Sequence, residues 1–208
     1  MKPYISIDIE TTGLDEDTCQ VIEFAAVIDD LVSPVEDLPV FRKIILHDYL
    51  VGQPYAMSMH SKLFIEMDGI NKNLQPVFES YWCRPGQLSE HFMKWCDVWE
   101  KYMHINLHSR GKFIVSGKNF AGFDWQFLKP LPGWEVPINH RIVDVGMLYF
   151  DILTDDLPPS TLDCMRRAGL VPEAEHTAKG DARDVVRLIR RKIELETAFK
   201  QSRMQVAT

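Results

Sequence analysis

Residues 4–10, Tyr-Ile-Ser-Ile-Asp-Ile-Glu, alternate strictly, with Ile5, Ile7 and Ile9 on one side and Tyr4, Ser6, Asp8 and Glu10 on the other. That is the two-residue period of a strand. It projects Asp8 and Glu10 from one face, so a strand with apolar surroundings carries two like charges side by side. Burying such a pair is costly unless a cation compensates it, whereas a solvated edge strand needs no cation. The segment is therefore either a metal-bearing strand within a sheet or an exposed edge.

Residues 21–28 and 41–46 are two further strand candidates, separated by a loop holding Pro34 and Pro39, and together the three predict an antiparallel opening. From 47 to 110 strand patterning fades. There Leu88, Phe92, Trp95, Trp99 and Met103 recur at steps of four, three, four and four, which predicts a helix packed on the core. An aromatic ladder for stacking bases is the alternative for Trp95 and Trp99. Residues 113–116 read as a short buried strand, followed by a turn at Gly117 and Asn119 and a helix from near Phe120 to before Pro130. Residues 142–145 are another strand. A helix then opens at Ser160 or Thr161 and closes near Gly169, and a last one runs from about Asp181 to Phe199 with Val185, Ile189 and Ile193 or its neighbours buried. Gln201 to Thr208 read as a frayed tail. Strands first, then helices alternating with strands, indicate an α/β layer fold with a mixed sheet. A length of 208 residues suits one domain, over 1–200.

With 46% apolar and 25% charged residues, a packed core is expected rather than disorder. A net charge of −7 weighs against a protein that coats duplex nucleic acid, which requires broad phosphate neutralisation. It leaves open an enzyme that grips a few terminal nucleotides. Arg166, Arg167, Arg183, Arg187, Arg190, Arg191 and Lys192 crowd the last quarter and either solvate a helix or line a substrate approach. Asp8 and Glu10 interrupt the one early apolar stretch, which argues against a signal peptide, and no run is long enough to span a membrane. Cys19, Cys83, Cys96 and Cys164 lack Cys-x-x-Cys spacing, so reduced thiols and a cytoplasmic location are expected.

Two later segments add chemistry. Asp124 lies early in its predicted helix, where the macrodipole also accounts for a carboxylate, and Asn119 reads equally well as a helix cap. His176 stands five residues before Asp181, which could itself cap the last helix. Four carboxylates and one histidine, each at an element end, match the needs of two-metal phosphodiester hydrolysis. No Gly-x-Gly-x-x-Gly follows a strand, which disfavours dinucleotide binding.

Three stretches, Asp8-x-Glu10-x-Thr12-Gly13-Leu14, Asn119-x-x-x-Phe123-Asp124 and His176-x-Ala178-x-x-Asp181, occur in this order over nearly the whole chain. In them the sequence resembles the DEDDh exonucleases, the superfamily that includes oligoribonuclease, ribonuclease T and the proofreading subunit of a bacterial replicative polymerase. Thr177 occupies the place of the tyrosine that marks the sister group, and Lys118 stands where many members have histidine. The resemblance implies a ribonuclease H-like fold: a mixed five-stranded sheet flanked by helices, with residues 47–110 as a helical insertion. It implies that Asp8, Glu10, Asp124 and Asp181 hold two divalent cations, Mg²⁺ or Mn²⁺, and that His176 is the general base. It further implies that the Thr11-Thr12 backbone meets a terminal 3′ hydroxyl, that Leu14 packs on the last base and that Asn119 supports the strand. The expected partner is a single-stranded DNA or RNA 3′ end, with a homodimer or a polymerase partner also compatible. A non-catalytic nucleic-acid or polymerase-binding module and a ribonuclease H-like endonuclease are the alternatives on the same fold.

Overall fold

The computed structural model describes residues 2–72, 81–172 and 176–206. The chain runs β1 (Tyr4–Thr11), β2 (Val21–Asp29), β3 (Val40–Ile45), α1 (Pro54–Met59), α2 (Ser61–Lys72), β4 (Trp82–Cys83), α3 (Leu88–Met103), β5 (His108–Ser109), β6 (Lys112–Phe113) and β7 (Val115–Gly117). It continues through α4 (Asp124–Leu128), β8 (Val143–Asp144), α5 (Val145–Leu148), α6 (Thr161–Ala168) and α7 (Ala178–Val206). β5 and β6 form a small separate ribbon. The main sheet has the order β4-β3-β2-β1-β7-β8. β1, β2 and β3 pair antiparallel as expected, while β1 with β7, β3 with β4 and β7 with β8 pair parallel. The sheet is mixed, but with six strands rather than five. The added strand is β4, two residues long and inside the segment expected to be helical; two residues carry no period for a sequence pattern to show.

β1 is an interior strand, so the exposed-edge arrangement for Asp8 and Glu10 does not hold. Its Ile5, Ile7 and Ile9 join Phe24, Phe41 and Phe92 in one core layer under α3. Trp95 and Trp99 pack against that layer, Trp95 at 5.4 Å from the Phe41 ring. Both are thereby core contacts and not a base-stacking ladder. On the other face Tyr4 joins Val145, Ala182, Val185 and Ile189 in a second layer under α5, α6 and α7. A third cluster puts Leu63, Met67 and Ile70 of α2 on Ile22, Ile44 and Leu46. Glu10 pairs with Glu23 but Thr11 with Val21, which leaves Ile22 as the extra residue of a β-bulge opposite the end of β1.

α7 starts three residues earlier than expected because the Thr177 hydroxyl accepts from Gly180 N–H at 3.1 Å, so Thr177 and not Asp181 is the side-chain cap. Its buried face holds Val185 and Ile189, whereas Ile193 is 39% exposed because the helix there has passed beyond the packed layer. α4 starts at Asp124 rather than near Phe120. Asn119, at φ 56°, belongs to the preceding turn and not to a helix cap. Most of the late arginines are taken up by carboxylates: Arg166 by Asp163, Arg167 by Asp155, Arg187 by Asp184, Arg190 by Asp29 and Arg191 by Glu194. Among the described residues no helix is long and apolar enough to cross a membrane, and all four cysteines are free thiols.

Asp29 is fully buried and held by Arg190 and by the Tyr4 hydroxyl at 2.7 Å. Removing one partner of a buried pair strands the other charge. Arg190→Met is expected to cost about 3–5 kcal/mol in urea unfolding, and Asp29→Asn/Arg190→Met to recover much of it.

Candidate metal centre

Three carboxylates converge where β1 meets the head of α7. Asp8, Glu10 and Asp181 each offer an oxygen, and these oxygens lie within 4.8 Å of one another. β1 supplies the first two through its alternation, and the first turn of α7 supplies the third. Asp124 stands outside that set but adjoins it: its charge is, after burial, the largest influence on Asp8. It is the first residue of α4, and β7, the strand leading to that helix, runs parallel to β1. Its side chain is 3% exposed and its Oδ1 has no hydrogen-bond partner. A buried carboxylate oxygen without a donor is costly in a protein unless something positive faces it.

Electrostatics point the same way. Burial, then the charges of Asp124, Asp181, Glu10 and Glu23, push Asp8 well above the usual carboxylate range. Burial, Asp181 and Glu23 push Glu10 up to about 8. Burial raises Asp124 to about 7, against the opposing effect of backbone N–H groups of Asp124 and Ile9. Burial also raises Asp181 to about 6, although the nearby His176 lowers it. Four hard oxygen donors that resist ionisation together fit a hard divalent cation such as Mg²⁺ or Mn²⁺.

Two cavities flank this cluster. One, of about 610 Å³, is lined by Glu23, Arg42, Glu66 and Lys179, the other, of about 490 Å³, by Thr11, Leu14, Tyr55, Phe123 and Asp181. Glu10, Met59, His60 and His176 border both. His176 is exposed at this boundary. Leu14 and Tyr55 are 75% and 77% exposed at the mouth of the smaller cavity. Thr12 lines neither cavity and is fully buried. Its N–H donates to Gln20 O, its carbonyl accepts from Gln53 N–H, and its hydroxyl donates to Val51 O at 2.6 Å. Thr12 thereby clamps the end of β1 to the start of the helical segment. Gly52 closes the clamp, since a Cβ there would sit 2.5 Å from the Thr12 carbonyl oxygen. Asn119 also lies off both cavities, its N–H donated to Asp144 at 2.7 Å.

Glu23, Arg42, His60 and Tyr55 did not stand out in the sequence. Glu23 carried the same signal as Asp8, an acid inside an apolar strand run; the others show none. His60 Nε2 approaches Glu10 Oε2 to 3.5 Å. Burial holds His60 below its usual range while Glu10 is raised, so both are biased toward their neutral forms.

All four carboxylates have raised values in the fold, so between about pH 4 and pH 8 the metal-free folded protein binds more protons than the unfolded chain. Their contribution to stability is greatest below about pH 4 and is lost as pH rises through that window. Tm of the metal-free protein is expected to fall between about pH 5 and pH 8, with Mn²⁺ giving its largest gain at the upper end. Scanning calorimetry with and without chelator checks this, and a Tm gain independent of pH would contradict it.

No protein-family model matches the chain, and no curated protein matches its sequence. Solved structures do. Pop2p of S. pombe, in a form with Mg²⁺ and Mn²⁺ bound, aligns at 13% identity and TM-score 0.61, covering 91% of this chain and 82% of that one. Cell-death related nuclease 4 (CRN-4) aligns at 14% and 0.61, covering 94% of this chain and 64% of that one. The nuclease domain of 3′hExo, a DEDDh family member bound to rAMP, aligns at 14% and 0.61 over 93% and 92%. Sheet order, interior strand and helical flanks thus place the chain in the ribonuclease H-like fold that these structures share.

Proposed function

We propose that the chain is a metal-dependent 3′-to-5′ exonuclease that releases nucleoside 5′-monophosphates from the 3′ end of single-stranded DNA or RNA. The observation that carries this reading is the convergence of Asp8, Glu10 and Asp181, with Asp124 adjoining, at the border of two cavities that His176 shares. Similar folds add support: Pop2p holds Mg²⁺ and Mn²⁺, and 3′hExo holds a mononucleotide.

In this reading the four carboxylates hold two divalent cations, which when bound lower the pKa of water and neutralise charge building on the phosphate. The smaller cavity receives the terminal nucleoside. Leu14 and Tyr55 give it apolar walls against which a base can pack, and Thr11 forms part of the floor. Thr12 acts indirectly by holding that floor against Val51 and Gln53. His176, exposed at the border of both cavities, takes the proton of the attacking water on an imidazole nitrogen. The water oxygen bonds to the phosphorus of the terminal phosphodiester as the bond from that phosphorus to the 3′ oxygen of the preceding nucleotide breaks, and that oxygen takes a proton from solvent, leaving a 3′ hydroxyl on the shortened strand and a free 5′-monophosphate.

Asp181→Asn removes one negative ligand at constant size and is expected to lower kcat by at least about 10³-fold, while His176→Ala lowers it about 10²- to 10⁴-fold. Both are read from release of the labelled mononucleotide by a 3′-labelled strand in Mn²⁺. A ladder of internal fragments from the parent would instead indicate an endonuclease, and tight strand binding without any hydrolysis would indicate a binding module.

A further inference from the structure

Glu23 is an acid with no place in the chemistry just described, yet it is 1% exposed and lies beside the centre. It stands directly opposite Glu10 across the β1–β2 pair. Like charges in that relation repel, and Glu23 worsens the electrostatics of Asp8, Glu10 and Asp181 alike. Such a residue at such a position calls for a compensating role.

Its two oxygens show one. Oε1 accepts from Arg42 Nε, and Oε2 accepts from the backbone N–H of Ala178 at 3.0 Å. Arg42, on the neighbouring strand, also grips Glu66 of α2 through two bonds of 3.1 Å. Ala178 opens α7 and follows His176 by two residues. At that helix head, Thr177 accepts from Gly180 N–H and from Asp181 N–H, both inside the same turn. Of these three bonds only the one from Ala178 to Glu23 leaves the helix and reaches the sheet. A charged acceptor on a helix N–H, away from water, is about twice as strong as a neutral one.

We propose that Glu23 is a positioning residue: its hydrogen bond to Ala178 fixes the head of α7 on the sheet and so sets where His176 and Asp181 stand relative to Asp8 and Glu10. Arg42 neutralises Glu23 and, through Glu66, ties α2 to the same point. The proposal rests on the exonuclease reading for its catalytic consequence, but the bond itself can be read without activity. A displacement of about 1 Å in a reacting group costs on the order of 10²-fold in rate, which sets the size of the effect.

Removing Glu23 alone would leave Arg42 held only by the partly exposed Glu66, so the test uses two double variants that both delete the charge pair and the grip on Glu66. Glu23→Gln/Arg42→Met keeps an oxygen acceptor for Ala178, whereas Glu23→Leu/Arg42→Met does not. The glutamine variant is expected to lose about 3-fold in kcat and the leucine variant about 50-fold, each with KM within about 3-fold of parental. Equal kcat in the two folded variants would overturn the proposal. Amide hydrogen exchange gives the second measurement: Ala178 N–H should be protected in the parent and in the glutamine variant. Rapid exchange at Ala178 in the parent would overturn the proposal even if the leucine variant did not fold. A parent that releases no nucleotide but protects Ala178 would sink the exonuclease reading and leave the tie between α7 and the sheet standing.

Discussion

Mutual repulsion among carboxylates on the covered face of an interior strand is the constraint around which the molecule is arranged. At an effective dielectric near 20, two unit charges about 4 Å apart would repel by about 4 kcal/mol, and here oxygens of Asp8, Glu10 and Asp181 lie within 4.8 Å of one another. Apolar layers above and below the sheet supply the stability that tolerates them. Position supplies the rest. Asp124 begins α4 and Asp181 lies in the first turn of α7, where exposed N–H groups favour negative charge. Glu23 adds a further charge and brings its own countercharge in Arg42.

Around that constraint the parts divide their tasks. The sheet and α7 fix the carboxylates, while α1 and α2 build the walls of the two cavities. The walls are fastened at two places: Thr12 to Val51 and Gln53 at one, Arg42 to Glu66 at the other. The bulge at Ile22 serves both sets of contacts. It turns Val21 into the layer beneath α3 and Ile22 into the cluster beneath α2, and it follows the Glu10–Glu23 pair directly.

Sequence periodicity exposed β1, β2, β3, α3 and most of α7, because each is long enough to repeat its pattern several times. It missed β4, which has two residues, and misplaced the starts of α4 and α7, which depend on the turn at Asn119 and the cap at Thr177. Among candidate site residues, Asp8, Glu10, Asp124, Asp181, His176, Thr11 and Leu14 stand at the cluster or on its cavities. Thr12 and Asn119 spend their polar groups on the fold instead. His60 and Arg42 were invisible because nothing local marks them; each matters only through a neighbour brought close by folding.

The clamp at Thr12 and Gly52 also bears on how such a molecule can diversify. It anchors the segment carrying α1 and α2 on backbone groups and on one small residue, leaving side chains such as Tyr55 and Ile65 outward and unconstrained. A change at Tyr55 can therefore reshape the smaller cavity while the acidic floor beside it stays in place. The shape of the cavity and the geometry of the carboxylate cluster are thereby separable within one chain.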